Sequence, residues 1–123
     1  TSTELGMRPA MSRAKIARVL DTLRSKPHQL PKDYKERQEN VSEKIKAGRP
    51  IVTAEAVRDL TWHKRRAHLT KRDSELLKQG QDFLAAEMAL VSDGEVSEAN
   101  ERIESILTVA MASWEPQPSF QAA

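Results

Sequence analysis

Apolar residues return every three or four positions in five separate stretches of this chain, with capping residues, glycines and prolines between them. That period matches one face of an α-helix, and no stretch of useful length alternates as a half-buried strand would. Ser12 is placed to cap a first helix, in which Ile16, Val19, Leu20 and Leu23 stand at i, i+3, i+4 and i+7. Pro27 and Pro31 then enforce a loop. Asp33 can cap a second helix with Val41 and Ile45 on its inner face and Gly48 as its stop. After Arg49-Pro50 opens a connection, Thr53 is expected to begin a third helix, with Ala56, Val57 and Leu60 inward. Thr70 and Asp73 resemble a capping box, with Asp in the usual place of Glu. The fourth helix follows, longest and most apolar: Leu76, Leu77, Phe83, Leu84, Met88, Leu90 and Val91. Gly80 inside it costs about 1 kcal/mol relative to Ala, which points to close packing against a neighbour. Ser92-Asp93-Gly94 ends this helix, and Ser97 is expected to cap a fifth, with Ile103, Ile106, Leu107 and Ala110. The fold class is therefore all-α, a compact bundle of about five helices around a central long fourth.

With 123 residues the chain makes about one domain. Residues 1–11 read as a linker or the end of a preceding domain, 12–112 as the helical domain, and 113–123 as a flexible tail. Thr1, rather than Met, fits a fragment or a processed product. Only Tyr34, Trp62, Phe83, Trp114 and Phe120 are aromatic, so the core rests on aliphatic side chains. There is no cysteine, which removes disulfides and thiolate metal sites and fits a cytoplasmic protein. No signal-peptide core and no apolar run of roughly 18 residues is present, so no membrane is expected as a partner.

The residues point away from catalysis. P-loop, zincin, dinucleotide-binding and nucleophile-elbow motifs are all missing. His63 and His68 stand five apart and do not share a helix face, and the acids are scattered over solvent faces. No enzyme activity, metal, cofactor or small-molecule substrate is expected.

Charge carries the positive signal. The net charge of +2 conceals a split: residues 1–72 hold 18 of the 20 Lys/Arg and 8 of the 18 Asp/Glu, a balance of +10, while residues 73–123 balance at −8. Such asymmetry suits an acidic partner such as nucleic acid, and equally suits two halves that pair with each other. Between Trp62 and Arg72 stand Lys64, Arg65, Arg66, Lys71 and Arg72 with no acid among them. The stretch spans one helix end and the next helix start, so its charges are expected to converge at a corner. Clustered cations bind phosphates through counterion release. Complementing a helix C-terminus explains Lys64 to Arg66 equally well, but leaves Lys71 and Arg72, at a helix start, unexplained. Trp62 beside the cluster has two readings, core side chain or stacking ring, and a Trp next to an apolar helix face is more often core. Tyr34, with Lys32, Lys35 and Arg37 around it, divides evenly between core and contact, because its spacing to Val41 and Ile45 suits the buried face while a first turn is usually accessible.

The segment Ala54-Glu55-Ala56-Val57-Arg58-Asp59-Leu60 resembles the A-E-V-V-R-D-L segment of the CarD/CdnL family of bacterial transcription regulators. Gly6-Met7-Arg8 resembles the junction before that family's helical domain, and Val19-Leu20 to Leu23-Arg24 its first helix. Asp33-Tyr34 to Gly48 resembles the N-W-x-R-R…L-x-S-G stretch, and Leu76 to Leu90, ending Glu87-Met88-Ala89-Leu90, the long helix. The likeness runs without gaps from about Thr1 to Met111. It implies a C-terminal helical domain that contacts promoter DNA, duplex or fork, at the upstream edge of the transcription bubble, stabilising the open complex. It also implies a separate Tudor-like domain, absent from this chain, that grips the RNA polymerase β subunit. In the resemblance Tyr34 stands where relatives carry a Trp that wedges into the minor groove. Glu39, Ser74 and Glu75 replace cations that contact DNA in well-known relatives, so Tyr34, Lys35, Arg37, Lys64, Arg65, Arg66, Lys71 and Arg72 become the expected contact set. The alternative is a protein–protein interaction module. A major-groove helix-turn-helix fits less well, because the long helix is too apolar to be a free recognition helix.

Overall fold

The structure, a computed structural model, describes residues 12–114. Among them are five helices and no strand: α1 (Arg13–Arg24), α2 (Tyr34–Lys46), α3 (Pro50–Arg66), α4 (Lys71–Ser92) and α5 (Val96–Trp114). The all-α bundle expected from periodicity is the fold. α4, the longest helix, packs against α2, α3 and α5, while α1 packs against α3 and α5.

Several boundaries follow from local chemistry as anticipated. The Ser12 side chain accepts the Lys15 N–H, and that of Asp33 accepts the Glu36 N–H. At the head of α4 both halves of the capping box form. Gly48, with φ +67°, turns the chain out of α2 in a left-handed conformation that costs glycine little.

Three boundaries differ. α3 begins at Pro50, not Thr53. Proline suits a first helical position, since its fixed φ is already helical and its missing N–H has no partner there to lose. α5 begins at Val96, so Ser97 lies within the first turn, and the Glu98 side chain accepts the Glu95 N–H in the capping role. Ser113 and Trp114, expected in a tail, belong to α5. The remaining expectations for 1–11 and 115–123 lie outside the described residues.

The core has two connected parts. Val19, Leu20 and Leu23 of α1 meet Ala54 and Val57 of α3, Leu84 and Met88 of α4, and Ile103, Leu107 and Met111 of α5. A smaller cluster of Leu30, Val41, Ile45, Ala56, Leu60, Leu69 and Leu76 seals α2, the loop before it and the loop between α3 and α4 against α3 and α4. Gly80 lies where α4 passes close to side chains of α2 and α3. A Cβ there would stand 2.9 Å from Val57 Cγ2 and 3.6 Å from Ile45 Cδ1, so the helix pays glycine's entropy for a close approach.

Gly80→Leu is expected to lower the unfolding free energy by about 1–3 kcal/mol through overpacking. Val57→Ala in the same chain should recover part of that loss, making the two changes less than additive. Urea denaturation of the four proteins of the cycle measures this, and strict additivity would show that Val57 is not the residue displaced.

Candidate nucleic-acid interface

Asp73 organises the end of the bundle where the start of α2 meets the start of α4. Its carboxylate closes the α4 capping box by accepting the Thr70 N–H at 3.0 Å, and it also accepts Arg37 Nε at 3.1 Å and Nη2 at 2.7 Å. Arg37 Nη1 donates to the carbonyls of Pro31 and Lys32. One turn beyond Tyr34 on α2, Gln38 donates to the Thr70 hydroxyl at 2.9 Å. These bonds clamp the start of α2 and the loop before it to the start of α4. Burial alone pushes the Asp73 carboxyl up. The hydrogen bonds from Arg37 and Thr70, with the guanidinium charge, outweigh it and hold the group below its ordinary value of 3.8.

A second buried pair fixes the other end of the same loop. Arg58 Nε contacts Asp59 at 2.8 Å, Arg58 Nη1 donates to the Ser25 hydroxyl, and Asp59 accepts the His28 N–H. Both residues belong to the segment that carries the family resemblance. Arg58 and Asp59 are 4% and 1% exposed, so this part of the segment is structural.

Tyr34 stands at the first position of α2 with 50% of its surface exposed, the aromatic side chain most open to solvent among those described. The Lys35 ammonium lies 6.0 Å from its ring centroid. Of its two readings from sequence, core or accessible, the ring takes the accessible one.

Arg37 must be removed from the expected contact set. It is 4% exposed, and four of its five guanidinium N–H groups are engaged by Asp73 and two carbonyls, so although it touches the wall of a groove it is held inside the fold. The other expected cations are exposed but do not converge on one patch. Arg66 lines a groove of about 380 Å³ with Lys32, Trp62, His63 and His68. Lys64, two residues earlier and so on another face of α3, lines a groove with Asp82 and Glu104 instead. Arg65 is exposed in the last turn of α3. Lys71 and Arg72 open α4 next to Thr70, with Arg72 3.5 Å from the also exposed Glu75.

Trp62 is packed in part against the core, as the first of its two readings has it, and another part lines the groove. The Arg66 guanidinium sits 5.2 Å from its ring centroid, within cation–π range. His63 and His68 meet in this groove although helical periodicity separates them, because the chain leaves α3 at Ala67 and folds back. Burial, and then the Arg37 charge, pushes the His63 imidazole below its ordinary 6.5, with Asp73 pulling partly the other way. Lys32, His63 and His68 were not in the sequence-derived set. The loop that carries Lys32 has no periodicity from which to place it. Among the described residues no group of three or more His, Asp or Glu could hold a metal, and no helix is long and apolar enough to cross a membrane.

Residues 18–104 match the family described as CarD, C-terminal domain. The chain belongs to that family. No curated protein matches the chain. CarD is a family of transcription regulators, and membership gives this domain a transcription-related role.

Arg37→Ala is expected to cost about 3–5 kcal/mol at neutral pH, because it strands a buried carboxylate. Asp73, with its depressed native value, contributes stability that is complete above its ordinary 3.8 and is lost as pH falls through the native value. Chemical denaturation between pH 7 and pH 2 should therefore show an acid-side fall that is shallower in Asp73→Asn. Equal slopes in the two proteins would remove Asp73 from the linkage.

Proposed function

We propose that this CarD C-terminal domain contacts promoter DNA at a duplex-to-single-strand fork and stabilises the open complex of RNA polymerase. In this reading Tyr34 is the wedge, and Lys35, Arg66, Lys71 and Arg72 meet the flanking phosphates. The observation that carries it is the half-exposed Tyr34 ring, held at the start of α2 by the buried Arg37–Asp73 clamp. A wedge must arrive with its direction already fixed. Unstacking a base step costs a few kcal/mol, and a ring free to swing would add its own ordering cost. The contact is sequence-tolerant and favours steps that deform easily. Arg65 joins the phosphate set through its exposed position, while Lys64 is placed at its edge, toward the acids of α4 and α5. RNA polymerase, reached through its β subunit by a separate domain, supplies the anchor that a weak, salt-sensitive contact needs. Such work belongs beside the DNA in a bacterial cytoplasm.

Fork binding should weaken steeply with salt. Lys71→Ala/Arg72→Ala should reduce the slope of log affinity against log salt by about 2, at roughly 0.9 per phosphate contact. Tyr34→Ala should weaken the fork more than the closed duplex, and Tyr34→Trp should tighten it. Fluorescence anisotropy on labelled forks at several salt concentrations measures all of these. Binding indifferent to both salt and Tyr34 would instead describe a protein-docking module.

A further inference from the structure

Two adjoining grooves, of about 380 and 400 Å³, share Gln29, Trp62 and Arg66 and so form one trough along the 26–32 loop. Lys26 and Trp114 line one end, and Lys32 and His68 line the other. Among the described residues, no Asp or Glu lines either part. Two other grooves on this small domain do carry acids, Glu95 and Glu98 in one and Asp82 and Glu104 in the other. Both tryptophans of the chain stand in this trough.

The rings are held in different ways. Trp62 is backed by the core and covered in part by the Arg66 guanidinium. Trp114 is 40% exposed, and its indole N–H donates to the Arg24 carbonyl at 3.0 Å, which fixes the ring at the end of α5. A guanidinium lying on an indole still has edge N–H groups for a phosphate and a second face for a base. Lys32, at the far end, is two residues from Tyr34, so the trough opens beside the proposed wedge.

We propose that this trough takes single-stranded DNA, with bases stacking on Trp62 and Trp114 and phosphates meeting Lys26, Lys32, Arg66 and His68. Fixed aromatic platforms interleaved with cations are what sequence-tolerant strand binding requires, because every base offers a π-face and every linkage a charge. An apolar peptide would leave the cations unpaired, and a closed duplex would keep its bases from the rings. The inference rests on the fork reading and extends it, since a strand parted at Tyr34 passes Lys32 directly into the trough.

Because the chain has only these two tryptophans, fluorescence excited beyond the absorption of Tyr34 reports on the trough. Titration with an oligothymidine of about ten nucleotides, within the usual range for such sites, should quench it, and the affinity should fall as salt rises. Trp114→Ala should weaken oligothymidine binding about tenfold, the scale of one lost stacking contact. Lys26→Gln/Lys32→Gln keeps both rings and should flatten the salt slope by roughly 1.5, at about 0.7 per contact on a single strand. Far-UV circular dichroism checks that each variant is folded. Tyr34→Ala should leave oligothymidine affinity within about twofold while weakening the fork. Forks that bind and depend on Tyr34, with no quenching by oligothymidine, would overturn the trough and leave the fork reading standing. Quenching that survives while forks ignore Tyr34 would support the trough and end the wedge. Tighter binding of oligouridine, or displacement of oligothymidine by an acidic peptide at equal concentration, would overturn DNA as the occupant.

Discussion

The carboxylate of Asp73 receives four hydrogen bonds: two from Arg37, one from the Thr70 N–H and one from the Thr70 hydroxyl. Removing such a pair from water is costly, and its mutual attraction offsets that cost only when the remaining donors and acceptors are satisfied. Here they are, with Arg37 Nη1 turned to the Pro31 and Lys32 carbonyls. A hydrophobic pair of similar volume could supply comparable stability, but it would not set a direction. The charged pair fixes how the start of α2 stands against the start of α4, and so where the backbone presents Tyr34. Position, more than stability, is what this interaction contributes.

The same logic separates the cations of this chain into two kinds. Arg37 and Arg58 are buried and spent on internal carboxylates. Arg66, Lys71 and Lys35 are exposed. Lys71 and Arg72 also open a helix, where the macrodipole disfavours positive charge. Asp73 relieves that cost by capping the same turn, so two cations can be carried there. The charge split along the sequence therefore does not become a simple split of the surface, because part of the positive half holds the bundle together and Lys64 faces the acids of α4 and α5.

Much of this was legible in the residues. Helical periodicity placed all five helices, and the Ser12, Asp33 and Thr70 caps and the close approach at Gly80 followed from side-chain chemistry alone. Helix starts were harder where proline or a neighbouring glutamate took the place of a conventional cap, as at Pro50 and Glu95. Arg37 was misread because its type and its basic neighbours suggest a surface cation. Yet Arg37 stands four residues before Val41 and eight before Ile45, on the buried face, and a carboxylate in a capping box was available to receive it. The groove had no such signal. His68 and Lys32 come together only because two loops fold against α3, and no local pattern encodes a contact between loops.

Those loops owe their shape to both buried pairs at once. Asp59 holds the 25–33 segment at His28 and Arg58 holds it at Ser25, while Arg37 holds its other end at Pro31 and Lys32. Without a fixed path, Lys26 and Lys32 would sample many positions, and the trough between Trp62 and Trp114 would pay an ordering cost on every encounter. With both ends pinned, the proposed wedge and trough lie along one edge, separated along the chain by Asp33 alone. A partner that meets the ring of Tyr34 thus meets the cations of the loop in a geometry already set, and the ordering entropy that a loose surface would lose on binding has been spent in folding.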